Sequence, residues 1–286
     1  MSGSLTPAVL LAHSYFLRYD PKQVRKMKPY PPLGTLVTAS VLRQRGLDVR
    51  LFDAMLADGV EEFTRLVEDL RPAVVGIFED NFNFLTKMCT VRMREAALTM
   101  IRAAKAAGAR VALNGSDATD RPGIYLGAGA DAIIIGEVEE TAAELFDRWT
   151  AEPSAQLGDI AGLVLPTGNG SADETGGHTT AARLRIRELD TLPFPAWDLL
   201  DVGRYRDAWT RAHGRLSWNM VTSRGCPYRC NWCAKPIFGR LYAQRSPANV
   251  AEELRQLREH VAPDHVWFAD DIFGLTASWI EDFARE

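Results

Sequence analysis

Cysteine is scarce in this chain and unevenly placed: there are four in 286 residues, and three of them fall within eight positions. Long apolar runs are missing altogether. Nowhere do about 18 uncharged apolar residues follow one another, so no helical membrane span is expected, and Met1–Leu11 has neither the basic start nor the apolar run of a secretory signal. A Lys/Arg block is also lacking, and 33 basic against 37 acidic residues leave a net charge of −4. That charge does not suit a nucleic-acid backbone, which is set aside as a partner, as a membrane is for want of an apolar span. The fingerprint G-x-G-x-x-G does not follow the first apolar run, and G-x-x-x-x-G-K-[ST] occurs nowhere. The usual dinucleotide and nucleoside-triphosphate sites are thereby excluded, and there is no internal repeat. The expected location is cytoplasmic, where a reducing compartment turns clustered thiols toward metal or redox chemistry rather than disulfides. The isolated Cys89 reads as a small buried apolar residue.

What is present is ordinary globular material, 47% hydrophobic and 24% charged, long enough for about two domains. Up to about residue 150, short β-rich apolar runs alternate with helical stretches, the pattern of βαβ units on a parallel sheet. Strands are expected at Ala8–Ala12, Val49–Phe52, Val74–Phe78, Arg110–Asn114 and Ala132–Ile135, and helices at Gly34–Arg45, Val60–Leu70, Met93–Ala107 and Glu139–Thr150. The fold class is α/β, Rossmann-like or flavodoxin-like over residues 1–152. Residues 153–215 form a linker, in which Gly162–Leu165 and Arg183–Arg187 are expected to flank a hairpin loop rich in Gly, Ser and Thr before a connecting helix. A new unit begins at about residue 216.

In open α/β sheets ligands bind outside the carboxyl ends of the strands. The segments there are unusual: His13–Leu33 is rich in proline and aromatics and leads into Gly34, Glu79–Thr86 reads EDNFNFLT, and the later ones open with Asn114-Gly115 and Gly136-Glu137. Leu33, Gly34, Asn114, Gly115, Gly136 and Glu137 are the candidate cofactor-binding residues of this part. Glycines there would admit a close ligand, although turn chemistry alone also places glycines at such positions.

A strand over Arg215–Ser223 runs directly into Cys226-x3-Cys230-x2-Cys233. Three cysteines on a four-iron cluster leave one iron open for a small molecule to coordinate. Zinc would normally want a fourth protein ligand, and His213 and His260 are poorly placed for it by sequence. A redox pair would need only Cys230 and Cys233, and a purely structural role for all three is the remaining alternative.

The array Cys226-x3-Cys230-x-Trp232-Cys233, with an aromatic before the last cysteine and a strand before the loop, resembles the signature of radical S-adenosylmethionine (SAM) enzymes. The resemblance implies that Cys226, Cys230 and Cys233 bind a 4Fe-4S cluster whose open iron is chelated by SAM, with reductive cleavage to a 5′-deoxyadenosyl radical. It implies SAM-binding roles for Tyr228 and Trp232 in the loop and for Asp270 and Asp271 after the strand His265–Ala269, although these two could instead cap the next helix. The stretches Tyr30-Pro-Pro-Leu-Gly34, Gly46–Ala54, Pro72–Ile77 and Asp131–Glu140 resemble the cobalamin-binding domain that precedes the barrel in one radical SAM class. There is no D-x-H-x-x-G, so the usual lower cobalt ligand is missing, with His13 the one candidate substitute.

The implied function is cobalamin-dependent radical chemistry on a small-molecule substrate, methyl transfer to an unactivated carbon in its simplest form. Cyclising or oxidative relatives, and a non-catalytic cofactor-binding module serving a partner chain, are the alternatives. An external electron donor of flavodoxin or ferredoxin type is implied. Residues 216–286 hold only the first βα units of a partial TIM barrel, so the chain is expected to be a fragment or to need a polypeptide supplying the rest.

Overall fold

The computed structural model describes residues 9–79, 82, 90–167, 177–231, 233, 238 and 241–286. The front sheet starts with β1 (Val9–Ala12), and β2 (Val49–Phe52), β3 (Val74–Phe78), β4 (Arg110–Asn114) and β5 (Ala132–Ile134) complete its parallel part. Helices α1 (Pro21–Lys26), α2 (Leu33–Gln44), α3 (Val60–Leu70), α4 (Thr90–Ala106), α5 (Ser116–Asp120), α6 (Pro122–Gly127) and α7 (Glu139–Ala151) connect and cover it. The parallel strands lie in the order β2-β1-β3-β4-β5, a flavodoxin-like arrangement whose direction of winding reverses at β1 and β3. Every residue of β1, β3 and β5 is buried, which is why these strands read as continuous apolar runs rather than alternations. Gly76 in β3 is tightly enclosed: a Cβ there would lie 2.7 Å from the Phe78 ring and 2.8 Å from Leu11.

One short helix, α1, lies in the segment expected to be the loop His13–Leu33, and two, α5 and α6, follow β4. Asp20 caps α1 by accepting from Lys22 N and Gln23 N, with Pro21 at the first helical position.

The expected hairpin is corrected in its second half. β6 (Leu163–Pro166) pairs antiparallel with β5, and its other neighbour is β7 (Gly177–Thr179), not Arg183–Arg187. Both strands extend the front sheet to seven. In Arg183–Arg187 the alternation is inverted: Leu184 is 89% exposed, while Arg183 pairs with Glu144 of α7 and Arg185 donates to the Leu241 carbonyl.

The second unit follows α8 (Val202–His213), which is capped by Asp201 and ended by Gly214 in the left-handed region. β8 (Ser217–Met220) and β11 (His265–Phe268) are parallel, joined through α9 (Pro247–His260), and α10 (Ala277–Arg285) closes the chain. Two short antiparallel strands, β9 (Ser223–Arg224) and β10 (Ala243–Gln244), frame the cysteine loop. The whole is a Rossmann-like α/β domain followed by two parallel βα units of the kind that begin a barrel.

The two units share a core. Tyr30, Leu33 and Leu36 pack with Trp197, Tyr205, Trp209, Trp218 and Val250, and the proline-rich segment is bonded to β8 and its neighbours. Tyr30 Oη pairs with Ser217 Oγ at 2.9 Å, Asn219 Nδ2 donates to Pro31 O at 3.1 Å, and Trp209 Nε1 donates to Pro29 O at 2.6 Å. Trp218 is wholly buried between Trp197 and Tyr205. Replacing it by Ala is expected to cost about 3–5 kcal/mol, read as a lower urea midpoint. A loss under about 1 kcal/mol would show that this shared core contributes little.

Candidate functional site

The carboxyl ends of β1, β3 and β4 open on a cleft lined by Ser14, Glu79, Met93, Asn114, Asp117 and Tyr125, at the point where the strand order reverses. Its polar groups hold one another. Arg94 meets Asp117 through Nε at 2.7 Å and Nη2 at 2.5 Å, and Tyr125 Oη donates to the same carboxylate at 2.5 Å. Burial acts to raise the Asp117 pKa, but Arg94 and Tyr125 outweigh it and hold the carboxyl below its usual range. Glu79 accepts from Ser116 N at 2.8 Å, and a Cβ on Gly115 (φ 149°) would collide with the Glu79 carboxylate. Gly115 is thus required by its neighbour as well as by its backbone.

The candidate cofactor residues of the front domain fall into two groups. Asn114 uses its amide to donate to Ile134 O at 2.9 Å and Gly136 O at 3.0 Å, tying together the ends of β4 and β5. Gly136 has φ 78° and nothing within 4 Å of where a Cβ would stand, so a planar group could approach its backbone closely. Leu33 and Gly34 are buried at the start of α2, in the shared core. Glu137 is turned away from the strand ends, into the interface with the second unit. His13 is 1% exposed, and its Nε2 lies 3.0 Å from Asp53 Oδ1, while Tyr205 of α8 donates to Asp53 Oδ2 at 2.6 Å.

The cysteine loop leaves β9 through Gly225, whose φ of 76° suits glycine and whose Cβ would strike the Leu241 carbonyl oxygen. Cys226 is buried, Cys230 and Cys233 are exposed, and Cys233 N donates to Cys230 O at 3.2 Å in a turn. Among the described residues no three Cys, His, Asp or Glu side chains are gathered for a metal, so the expected convergence of the three thiols is not present in this arrangement. The donor set itself fits an iron–sulfur cluster, three soft ligands within eight residues and no fourth supplied by the loop. Tyr228 is 57% exposed in the same loop. Trp232 and Cys89 lie outside the described residues.

Asp270 faces the loop's base rather than solvent. Its Oδ1 accepts from Thr222 N and Thr222 Oγ1, both at 2.9 Å, and from Ser223 Oγ at 2.5 Å, whereas Oδ2 is buried without a partner among the described residues. Burial raises its pKa, against the lowering effect of Ser223 and Thr222. Asp271 is exposed. The residue that sequence reasoning missed is Arg224. It is buried, and Nη1 donates to Glu137 Oε1 at 3.0 Å while Nη2 donates to Glu139 Oε1 at 2.5 Å. Its Cζ lies 5.4 Å and 5.5 Å from the centroids of the stacked rings of Phe82 and Phe238. An arginine before a cysteine carries no local signal of a partner 87 positions away.

Residues 28–146 match the B12 binding domain family. An uncharacterized methyltransferase of Pyrococcus horikoshii is 28% identical over 251 residues, covering 86% of this chain and 50% of the relative. The hopanoid C-3 methylase of Methylococcus capsulatus is 27% identical over 280 residues, covering 95% of this chain and 46% of the relative. The chain thus spans about half the length of these curated relatives. The cobalamin-dependent SAM radical enzyme OxsB, solved with aqua-cobalamin and SAM bound, shares the fold with a TM-score of 0.73 at 21% identity, over 98% of this chain and 37% of that one.

A folded-state carboxyl pKa above the unfolded value stabilises the fold below the unfolded value, and the benefit is lost as pH rises through the folded one. Wild-type stability relative to Asp270→Asn should therefore fall as pH rises from 4 to 8. Asp270→Ala, which strips an acceptor from Thr222 and Ser223, should cost about 1–3 kcal/mol at both ends of that range. Chemical denaturation of the three proteins reads this out, and a flat difference between wild type and Asp270→Asn would show that Asp270 stays charged in the fold.

Proposed function

We propose, from the premise that this chain belongs to the radical SAM enzymes that carry a cobalamin-binding domain, that it takes part in cobalamin-dependent methyl transfer from SAM to an unactivated carbon of a small molecule. The observation that carries this reading is the three-cysteine loop, seated against a B12-type domain at the carboxyl end of β8 and bonded to it through buried Arg224. When bound, the cluster would supply the electron that cleaves SAM, and cobalamin would carry the transferred methyl group. The rest falls to the chain's own side chains. Cys226, Cys230 and Cys233 would hold iron as thiolates. Gly136 leaves backbone open at the end of β5 for the corrin side, while Asn114 fixes the Gly136 turn. Asp270 holds the base of the cysteine loop to the end of β11, which supports a positioning role for it and leaves the exposed Asp271 and Tyr228 as the groups with reach toward SAM.

The same proposal includes the division of the chain into a cofactor domain to about residue 152, a connector to about 215 and barrel units beyond. It also includes an electron donor of flavodoxin or ferredoxin type and further polypeptide completing the barrel around the two strands β8 and β11.

Anaerobic reconstitution should give about four irons and four sulfides per chain. Ala at Cys226, Cys230 or Cys233 should abolish the brown chromophore, while Cys89→Ala should leave it. One zinc per chain without visible absorbance would overturn the cluster. The full chain should bind cobalamin with its own base displaced from cobalt, and an unchanged visible spectrum at micromolar cobalamin would overturn the front-domain reading.

A further inference from the structure

Both ends of the cysteine loop are tied to one side chain of the front domain. At the entry, Arg224 donates to Glu137 Oε1 at 3.0 Å. At the exit, the Leu241 carbonyl accepts from Arg185 Nη1 at 3.0 Å, and Arg185 Nε lies 3.9 Å from Glu137 Oε2. That same oxygen accepts from Ile186 N at 2.7 Å, which fixes the backbone carrying Arg185. Glu137 and Glu139 thus face Arg224 and Arg185, two charges of each sign in a nearly dry interface. Glu137 and Arg224 have 5% and 4% of their side chains exposed. The entry and exit also touch directly, since Gly225 passes against the Leu241 carbonyl oxygen.

We infer that Glu137 is a positioning residue that fixes the cysteine loop to the end of the front sheet, through Arg224 at the entry and, at the exit, through Ile186 N and the adjoining Arg185. Both oxygens of its carboxylate are engaged, Oε1 accepting from Arg224 and Oε2 from Ile186 N, with Arg185 Nε 3.9 Å from Oε2. Glu139 shares Arg224 but lies only at the entry, so it holds one end of the loop where Glu137 holds both. The segment Gly136-Glu137 therefore serves two partners at once, an open backbone turn toward the cofactor side and a carboxylate toward the cysteines. The functional meaning of the contact rests on the cluster reading above; the contact itself is a property of the cluster-free chain and is tested there.

The test compares alkylation of the full cluster-free chain by iodoacetamide, resolved thiol by thiol through peptide mass spectrometry. Cys230 and Cys233, already exposed, serve as internal references for the buried Cys226. Glu137→Gln keeps the size of the side chain and removes the charge. It should raise the rate at Cys226 relative to Cys230 by about tenfold, through local opening of the loop. Glu139→Gln should raise it by less. Hydrogen exchange over β1, β3 and β4 should stay as in wild type, because a positioning role frees the loop and not the sheet. A ratio within about twofold of wild type would overturn the inference, and so would faster exchange throughout the front sheet, the mark of a merely structural role. If Glu137→Gln yields no folded protein, Arg185→Lys carries the same test from the exit side with the same two overturning results. Iron content of the reconstituted wild type separately decides the cluster reading, so the two failures are distinguishable.

Discussion

A buried guanidinium must be compensated where it sits, and Arg224 sets that condition at the boundary of the two units. Taking it out of water is offset only because Glu139 and Glu137 meet it directly and two aromatic rings lie beside it. Its position two residues before Cys226 converts an energetic requirement into a geometric one. Removing a single partner from such a group typically costs about 3–5 kcal/mol, so the loop cannot drift from the end of β5 without exposing an unpaired charge. Arg224 is accordingly held in its charged form: burial works against it, and the two carboxylates outweigh burial.

Around this junction the apolar contacts are continuous. Tyr30, Leu33 and Leu36 at the entrance to α2 belong to the same cluster as Trp218 and Val250 of the second unit. In the proline-rich segment the Pro29 and Pro31 carbonyls accept from Trp209 and Asn219, and Tyr30 Oη pairs with Ser217 Oγ. Tyr205 reaches back to Asp53. The front sheet and the first barrel strands therefore form one packed body, to which the cleft over β1, β3 and β4 belongs and the ends of the cysteine loop are bonded.

Much of this frame is legible in the sequence, for identifiable reasons. The parallel strands are buried on both faces, so apolar runs such as Val74–Phe78 locate them without ambiguity, and the amphipathic α3 is found over the same Val60–Leu70 that its periodicity marks. Arg183–Arg187 misleads because alternation reports which residues differ, not which face is inward. The arginines turn in, toward Glu144 and Leu241, and the ladder goes to Gly177–Thr179. At the site, the cysteine spacing is a local pattern and can be read directly. The roles of Glu137 and Asp270 are not local. A glutamate after a strand-end glycine and an aspartate after a strand read as cofactor groups, and only the fold adds Arg224 as a partner of the first and Thr222 and Ser223 as partners of the second.

The proposed function requires one chain to hold both a cobalamin and an iron–sulfur cluster. The most direct measurement is electron paramagnetic resonance of the chain loaded with both and reduced, so that cob(II)alamin and the cluster are paramagnetic together. The account predicts signals broadened or split by magnetic interaction between the two centres, absent from chains loaded with either one. A spectrum that is the plain sum of the two singly loaded forms, with both cofactors present in full, would contradict it.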